Sequence, residues 1–280
     1  MTGISRLNLA LLAAVIALAL AAYFIPRKKE PELKLSAIKA ADAKSIRIEI
    51  AGGAPLLLAR AATEWKLTAP VNARADSFQV QRLLEILDAT SKDRFPAMGL
   101  ARYALNEPYA RVTINQQAFA FGTVNEMSRE QYVLSQDGIY PLALRYGAAL
   151  PKNALQLISR QLFAPDEAPI AFESDGFSLV QQDGKWQLTP PAADLGQDDI
   201  VGWVDEWRLA TALALLPPSK RKPSATVKLK LKNGAAVSVA VLQREPELVL
   251  ARSDQAFEYQ FVRDAAKRLL APPAAKTAQK

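Results

Sequence analysis

The chain contains neither cysteine nor histidine in its 280 residues. Without cysteine there are no disulfide staples, no thiolate zinc sites and no thiol nucleophile. Without histidine the chain lacks the usual general base near neutral pH and the commonest metal ligand. The glycines at Gly52-Gly53, Gly122 and Gly184 stand apart and form no Walker-type run, so no phosphate cradle is expected. Two tight carboxylate pairs remain, Asp198-Asp199 and Asp205-Glu206. Neighbours in sequence do not face one another on a helix, so neither pair is a ready acid/base couple, and capping and solvation account for both. The reading is a non-enzyme with no catalytic residue, metal ligand or cofactor site.

What is present is a globular composition, half hydrophobic and 22% charged, in a length suited to one large domain or two ordinary ones. One long apolar run, Leu7–Ile25, is interrupted only by Asn8 among strongly polar side chains. A helix of about twenty apolar residues crosses a hydrocarbon core, so a retained N-terminal membrane anchor is expected over residues 1–30. A cleaved signal peptide is the rival, with Arg6 ahead of the run and the small residues Ala19, Ala21 and Ala22 near its end. A single-pass inner-membrane protein with a periplasmic body is the favoured placement. The Arg27-Lys28-Lys29 flank argues instead for a cytoplasmic body.

The rest of the chain repeats itself. Trp65-Lys-Leu-Thr-Ala-Pro70 returns as Trp186-Gln-Leu-Thr-Pro-Pro191, and at the same offset Leu83–Thr90 lies opposite Val204–Thr211. Pro108–Ile114 then faces Pro223–Leu229, and Tyr140-Pro-Leu-Ala-Leu faces Tyr259-Gln-Phe-Val-Arg. Matches in one constant order point to a tandem duplication. The modules are placed at 31–165 and 166–271, divided near Pro165–Pro169, with a low-complexity tail over 272–280.

Local patterns agree with two copies. Ser45–Ile50 alternates polar and apolar residues with the period of a half-buried strand, Gly52-Gly53 turns the chain, and Leu56–Leu58 and Glu64–Thr68 complete a three-stranded unit. In the second copy Phe177–Gln181, the Asp183-Gly184 turn and Lys185–Thr189 do the same. A helix follows in each. Asp76 is placed to cap the first, with Phe78, Val80, Leu83, Leu84 and Leu87 on its apolar face; Ile200, Trp203, Val204 and Trp207 mark the second. Consecutive short strands come next. The fold class expected is α+β: an N-terminal transmembrane helix, then two tandem modules, each an antiparallel meander packed with one or two helices.

Trp65 and Trp186 alternate with Leu67 and Leu188, the pattern of strand residues facing a core, and Trp203 and Trp207 are likewise expected to pack. Basic residues gather at Lys220-Arg221-Lys222 and at Lys228, Lys230 and Lys232. In Thr226–Lys232 the lysines alternate with Val227, Leu229 and Leu231, which reads as the solvent stripe of an exposed or edge strand guarded by charge. The six residues also form a candidate anion-binding surface for an anionic polymer or lipid headgroups, consistent with a net charge of +7. No aromatic interleaving accompanies them, so nucleic acid is not an expected partner.

The W-x-L-T-x-P motif at Trp65…Pro70 carries a resemblance, together with Ala75-Asp76, Val80, Leu83-Leu84, Tyr103-Ala-Leu-Asn-Glu-Pro108, Phe121-Gly122 and Tyr132-Val133. These resemble the bacterial domain-of-unknown-function family numbered 4340, over most of Ser45–Leu150 and more weakly in the second copy. There the Y-x-L-x-x-P element is missing, and Leu215-Leu-Pro-Pro-Ser-Lys-Arg-Lys222 stands instead. The resemblance implies a membrane-anchored protein, in some members encoded beside gliding-motility-type ABC transporter components, and brings no catalytic residue with it. The expected function is a membrane-anchored, non-enzymatic accessory or scaffold of an envelope complex such as an ABC transporter. Its expected partners are an inner-membrane protein complex and, through the N-terminal helix, the lipid bilayer.

Overall fold

The computed structural model describes residues 3–24, 32–136, 138–192 and 195–271. Helix α1 (Gly3–Phe24) is followed by β1 (Leu33–Lys34), β2 (Ser45–Ile50), β3 (Leu56–Ala61), β4 (Glu64–Ala69) and β5 (Ala73–Arg74). Next come α2 (Ser77–Leu84), β6 (Thr90–Ser91), β7 (Phe95–Pro96), β8 (Ala110–Ile114), β9 (Gln117–Asn125), β10 (Glu130–Ser135), β11 (Gly138–Ala143) and α3 (Arg145–Ala148). The second half holds β12 (Pro169–Ser174), β13 (Phe177–Gln182), β14 (Lys185–Thr189), α4 (Gln197–Arg208) and β15 (Ala214–Leu216). It continues with β16 (Ala225–Leu231), β17 (Ala236–Gln243), β18 (Val249–Arg252), β19 (Glu258–Gln260) and α5 (Ala265–Leu270).

Two antiparallel sheets share one plan. The first has nine strands in the order β5-β4-β3-β2-β8-β9-β10-β11-β7, the second eight in the order β14-β13-β12-β16-β17-β18-β19-β15. In each, three hairpin-linked strands lead into a helix, and the chain returns beside the first of the three to start a meander. The register keeps apolar residues level: Ile46 opposite Ile114, Ile48 opposite Val112, and Phe172 opposite Leu229. One face of the first sheet is closed by α2, whose Val80, Leu83 and Leu84 are buried. Asp76 caps it as expected, its Oδ1 accepting from the backbone N–H groups of Phe78 and Gln79 at 2.9 and 3.1 Å. Phe78, expected on the apolar face, instead points outward and is 68% exposed. The second sheet is closed by α4 and α5 through Ile200, Trp203, Val204, Trp207 and Leu269, and the two interiors form one continuous core.

Two expectations are corrected here. The fold is predominantly β, where an α+β class was expected: α2, α3, α4 and α5 are only 8, 4, 12 and 6 residues long. The apolar stripe after Asp76 leaves the α-helix after two turns and finishes in a 3-10 turn at Glu85–Asp88, so each helix is a cover on a sheet, not a layer equal to it. Among the described residues no helix is long and apolar enough to cross a membrane. The expected span ended at Ile25, which lies outside the described residues, as do the Arg27–Lys29 flank and the 272–280 tail. That absence of a membrane-crossing helix is a finding about the described residues. The transmembrane helix and the single-pass inner-membrane placement with a periplasmic body are withdrawn on that finding.

Candidate functional site

Strand β16 lies between β12 and β17, inside the sheet, and so is not the edge strand that its lysine stripe suggested. The stripe has a different cause. The helices cover only one face of the sheet, so every second residue of β16 meets solvent. Lys228 Nζ lies 3.2 Å from Glu173 Oε1 on the neighbouring β12, with both side chains exposed. Arg221 reaches to 3.8 Å from Oε2 of the buried Glu258, whose Oε1 accepts from the Ser219 backbone N–H. Lys220 and Lys222 stand exposed on the loop before β16, and Lys230 and Lys232 toward its far end. Seven residues, 223–229, lie between Lys222 and Lys230, and none of the described cavities gathers the six.

The described cavities lie chiefly along the seam between the two sheets, where an extended connector, 157–162, joins them. On one side the connector pairs with the first sheet: Asp76 N–H donates to Leu157 O at 2.8 Å and Ser159 N–H to Arg74 O at 2.9 Å. On the other side Ala212 N–H donates to Arg160 O and Leu162 N–H to Ala210 O, both at 2.8 Å. Single antiparallel bridges, Ala75 with Ile158 and Gln161 with Thr211, complete the stitch. Arg74 adds its Nη2, which donates to Gln161 O at 2.9 Å and to Ser159 Oγ at 3.3 Å.

A clamp centred on Arg252 holds the connector's exit. Its guanidinium, 2% exposed, donates from Nη1 and Nη2 to Glu167 at 2.9 and 3.0 Å, and from Nε and Nη2 to Asp254 at 2.9 and 2.8 Å. Nη1 also donates to Leu162 O at 2.6 Å, and the cation sits 5.3 Å from the centre of the Phe163 ring. All five guanidinium N–H donors are thereby used inside the protein. Burial works against both carboxylates, but the hydrogen bonds and charge of Arg252 outweigh it and hold Glu167 and Asp254 below the ordinary carboxylate range. Burial also pushes the nearby Tyr259 phenol up to about 12. Beside the clamp lies a polar cleft of about 340 Å³ that includes Glu64, Lys66, Arg74, Asp166 and Tyr259. With Arg252 fully committed to internal acceptors, the clamp's chemistry is structural: it fixes a geometry and leaves no donor for a ligand.

A larger groove of about 930 Å³ runs along the other side of the connector, between α2 and the 148–156 segment on one wall and β15 on the other. Sequence reasoning found neither the clamp nor this groove. Arg252 and Glu167 lie 85 positions apart, and no spacing rule connects them. Three of the four carboxylates in the two pairs have structural partners. Asp199 Oδ2 accepts from the Gly196 N–H at the start of α4, Asp205 pairs with Arg208 at 3.2 Å, and Glu206 with Arg268 at 2.7 Å. Among the described residues no group of three or more acidic side chains could hold a metal ion.

The family model described as a domain of unknown function (DUF4340) matches residues 65–223. The chain belongs to the DUF4340 family. No curated protein and no solved structure matches it. The DUF4340 match opens at Trp65 in β4 and closes at Pro223, just before β16. It thus spans both W-x-L-T motifs, α2, the connector, α4 and both walls of the larger groove, while Arg252 lies beyond it.

Proposed function

We propose that this DUF4340 chain is a non-enzymatic accessory or scaffold protein that presents two joined β modules to a larger protein complex, an ABC-transporter-type assembly being the candidate by family association. The observation that carries the proposal is the doubly stitched connector. Backbone hydrogen bonds to the β5 end of the first sheet and to the 210–212 segment between α4 and β15, with the Arg252 clamp behind them, fix the modules into one body with a groove on its seam. A rigid body offers a partner a pre-arranged surface and spares the ordering cost of binding. The test is quantitative mass spectrometry of what co-purifies with the full-length chain from its native cells under mild extraction. Recovery of partner subunits in near-constant ratio is expected, and a monodisperse chain without partners would overturn the proposal.

A second reading, binding of an anionic polymer or lipid surface, draws support from the exposed Lys220, Lys222, Lys230 and Lys232, which have no carboxylate partner among the described residues. It expects salt-sensitive binding to anionic vesicles that is lost when these four become Glu. Binding unchanged by the substitutions sinks it.

A further inference from the structure

The groove between α2 and β15 combines an apolar floor, one-signed charge and an open strand edge. Val71, Leu150, Leu155, Ile158 and Leu215 line it, with Pro217 and Pro218 at one end. Its charged lining residues are Arg82, Lys152, Arg160 and Asp76. Asp76 is occupied, accepting the two backbone N–H groups that cap α2. The three cations have no carboxylate partner among the described residues: Arg82 reaches only Ala148 O at 3.5 Å and Arg160 only Leu213 O at 3.1 Å. Three cations against one engaged carboxylate leave the groove positive. Strand β15 is the last in its sheet's order, paired on one side with β19 and facing the groove on the other. Leu213, just ahead of it, is 56% exposed on the groove wall.

We propose that this groove docks an extended segment of a partner protein in which acidic and apolar residues alternate. An added strand sends successive side chains to opposite sides. One set lies on the apolar floor and the other meets Arg82, Lys152 and Arg160 at the rim. Pro217 and Pro218 end the ladder on the β15 side, so main-chain pairing is short and the side-chain pattern carries the selectivity. The proposal rests on the scaffold function above and names the chemistry of its partner.

The test uses the full chain and two fluorescein-labelled peptides of about eight residues, roughly 26 Å long when extended at about 3.3 Å per residue. One alternates Glu and Val, the other Lys and Val, and binding is read by fluorescence anisotropy. The Glu/Val peptide is expected to bind at least about ten-fold tighter than the Lys/Val peptide. That affinity should fall by a similar factor in the R82E/K152E/R160E variant, stay unchanged in K228E/K230E, and weaken with salt. Circular dichroism melting of each variant separates a lost site from a lost fold, and Leu213→Glu, at an exposed position, gives a second disruption of the groove. Equal binding of the two peptides, no binding of the acidic one, or indifference to charge reversal overturns the proposal. So does a charge-reversed groove that loses phosphatidylglycerol vesicles but not peptide. If the charge-reversed chain still recovers its cellular partners in constant ratio, the groove is excluded and the scaffold function stands. If the wild-type chain recovers none, the scaffold function itself fails.

Discussion

The two sheets follow the same strand order but are filled, edged and covered by different side chains. Under α2 the first interior is largely aliphatic, with Leu58, Leu67, Val80, Leu83 and Leu87. Under α4 the second is aromatic: the Phe172 ring lies 4.8 Å from that of Trp203 and 5.7 Å from that of Trp207, and Trp186 stands 6.3 Å away. The indole N–H groups of Trp203 and Trp207 donate to Ala271 O and Leu269 O, each at 2.8 Å, which ties α5 onto α4. The outer edges differ as well. Trp65 O accepts from the Ala75 N–H just past β5, whereas Trp186 O accepts from the side-chain amide of Gln197, which in turn accepts the Trp186 N–H. One edge is closed by backbone and the other by a side chain imitating it. The outer faces differ most. In the first sheet the 95–105 segment lays Phe95, Tyr103 and Leu105 over Tyr132 and Ile139, while the second leaves Lys228 and Lys230 in water. Strand order therefore tolerates exchange of aliphatic for aromatic packing, provided each face that is covered stays apolar and each edge finds a partner.

The sharpest way to break this comparison is at its matched tryptophans. Trp186 is 6% exposed inside the aromatic cluster, whereas Trp65 is half-buried and also lines a cleft at the seam. Trp186→Ala should cost about 4 kcal/mol in urea unfolding and Trp65→Ala about half as much. Equal losses would show that the two cores are packed alike.

The clamp is the next test, because the second sheet contributes Arg252 while the first contributes only the lightly bonded Arg74. Arg252→Met should cost about 3 kcal/mol, since it leaves two carboxylates without their cation. The pH dependence has a definite sign. Glu167 and Asp254 have folded pKa values below their unfolded ones. Their contribution is therefore complete above the unfolded values and is lost as pH falls through the folded ones, below roughly pH 4. Unfolding measured from neutral to acidic pH should fall more steeply for the wild type than for Arg252→Met. Parallel curves would mean that the clamp is electrostatically idle.

The smallest effect concerns the imitation edge. Gln197→Ala removes both side-chain bonds to Trp186 and should cost about 1 kcal/mol. It also bares the edge of β14, so concentration-dependent association should appear by light scattering. The first sheet, closed by β5, supplies the internal contrast. A variant that stays monomeric would show that Gln197 is not the guard of that edge.

Much of the strand pattern was legible because alternation is local. Ser45–Ile50 is a strand at the boundaries its alternation suggested, and the cap at Asp76 follows from its place before an apolar stripe. The strand at Pro169–Ser174 was missed, because a proline that signalled a boundary in fact opens β12. The lysine stripe was legible as exposed, but whether its strand is central or at an edge depends on partners distant in sequence. Of the seam almost nothing could be read, since Arg74, Arg160, Glu167 and Arg252 carry no pattern of their own.

What the sequence by itself determined is the repeated plan: period-two strands, two short helices with the Asp76 cap on the first, and the W-x-L-T motif that begins the family match. These depend on the nearest few residues, whose propensities and alternation are written along the chain. Only the tertiary structure decided which strands are central, how the second edge is closed, and that 157–162 joins both sheets beside a positive groove. Those features need donors and acceptors, or cations and carboxylates, from segments up to 90 positions apart. A hydrogen bond constrains atoms in space and leaves no periodic trace in the order of residues.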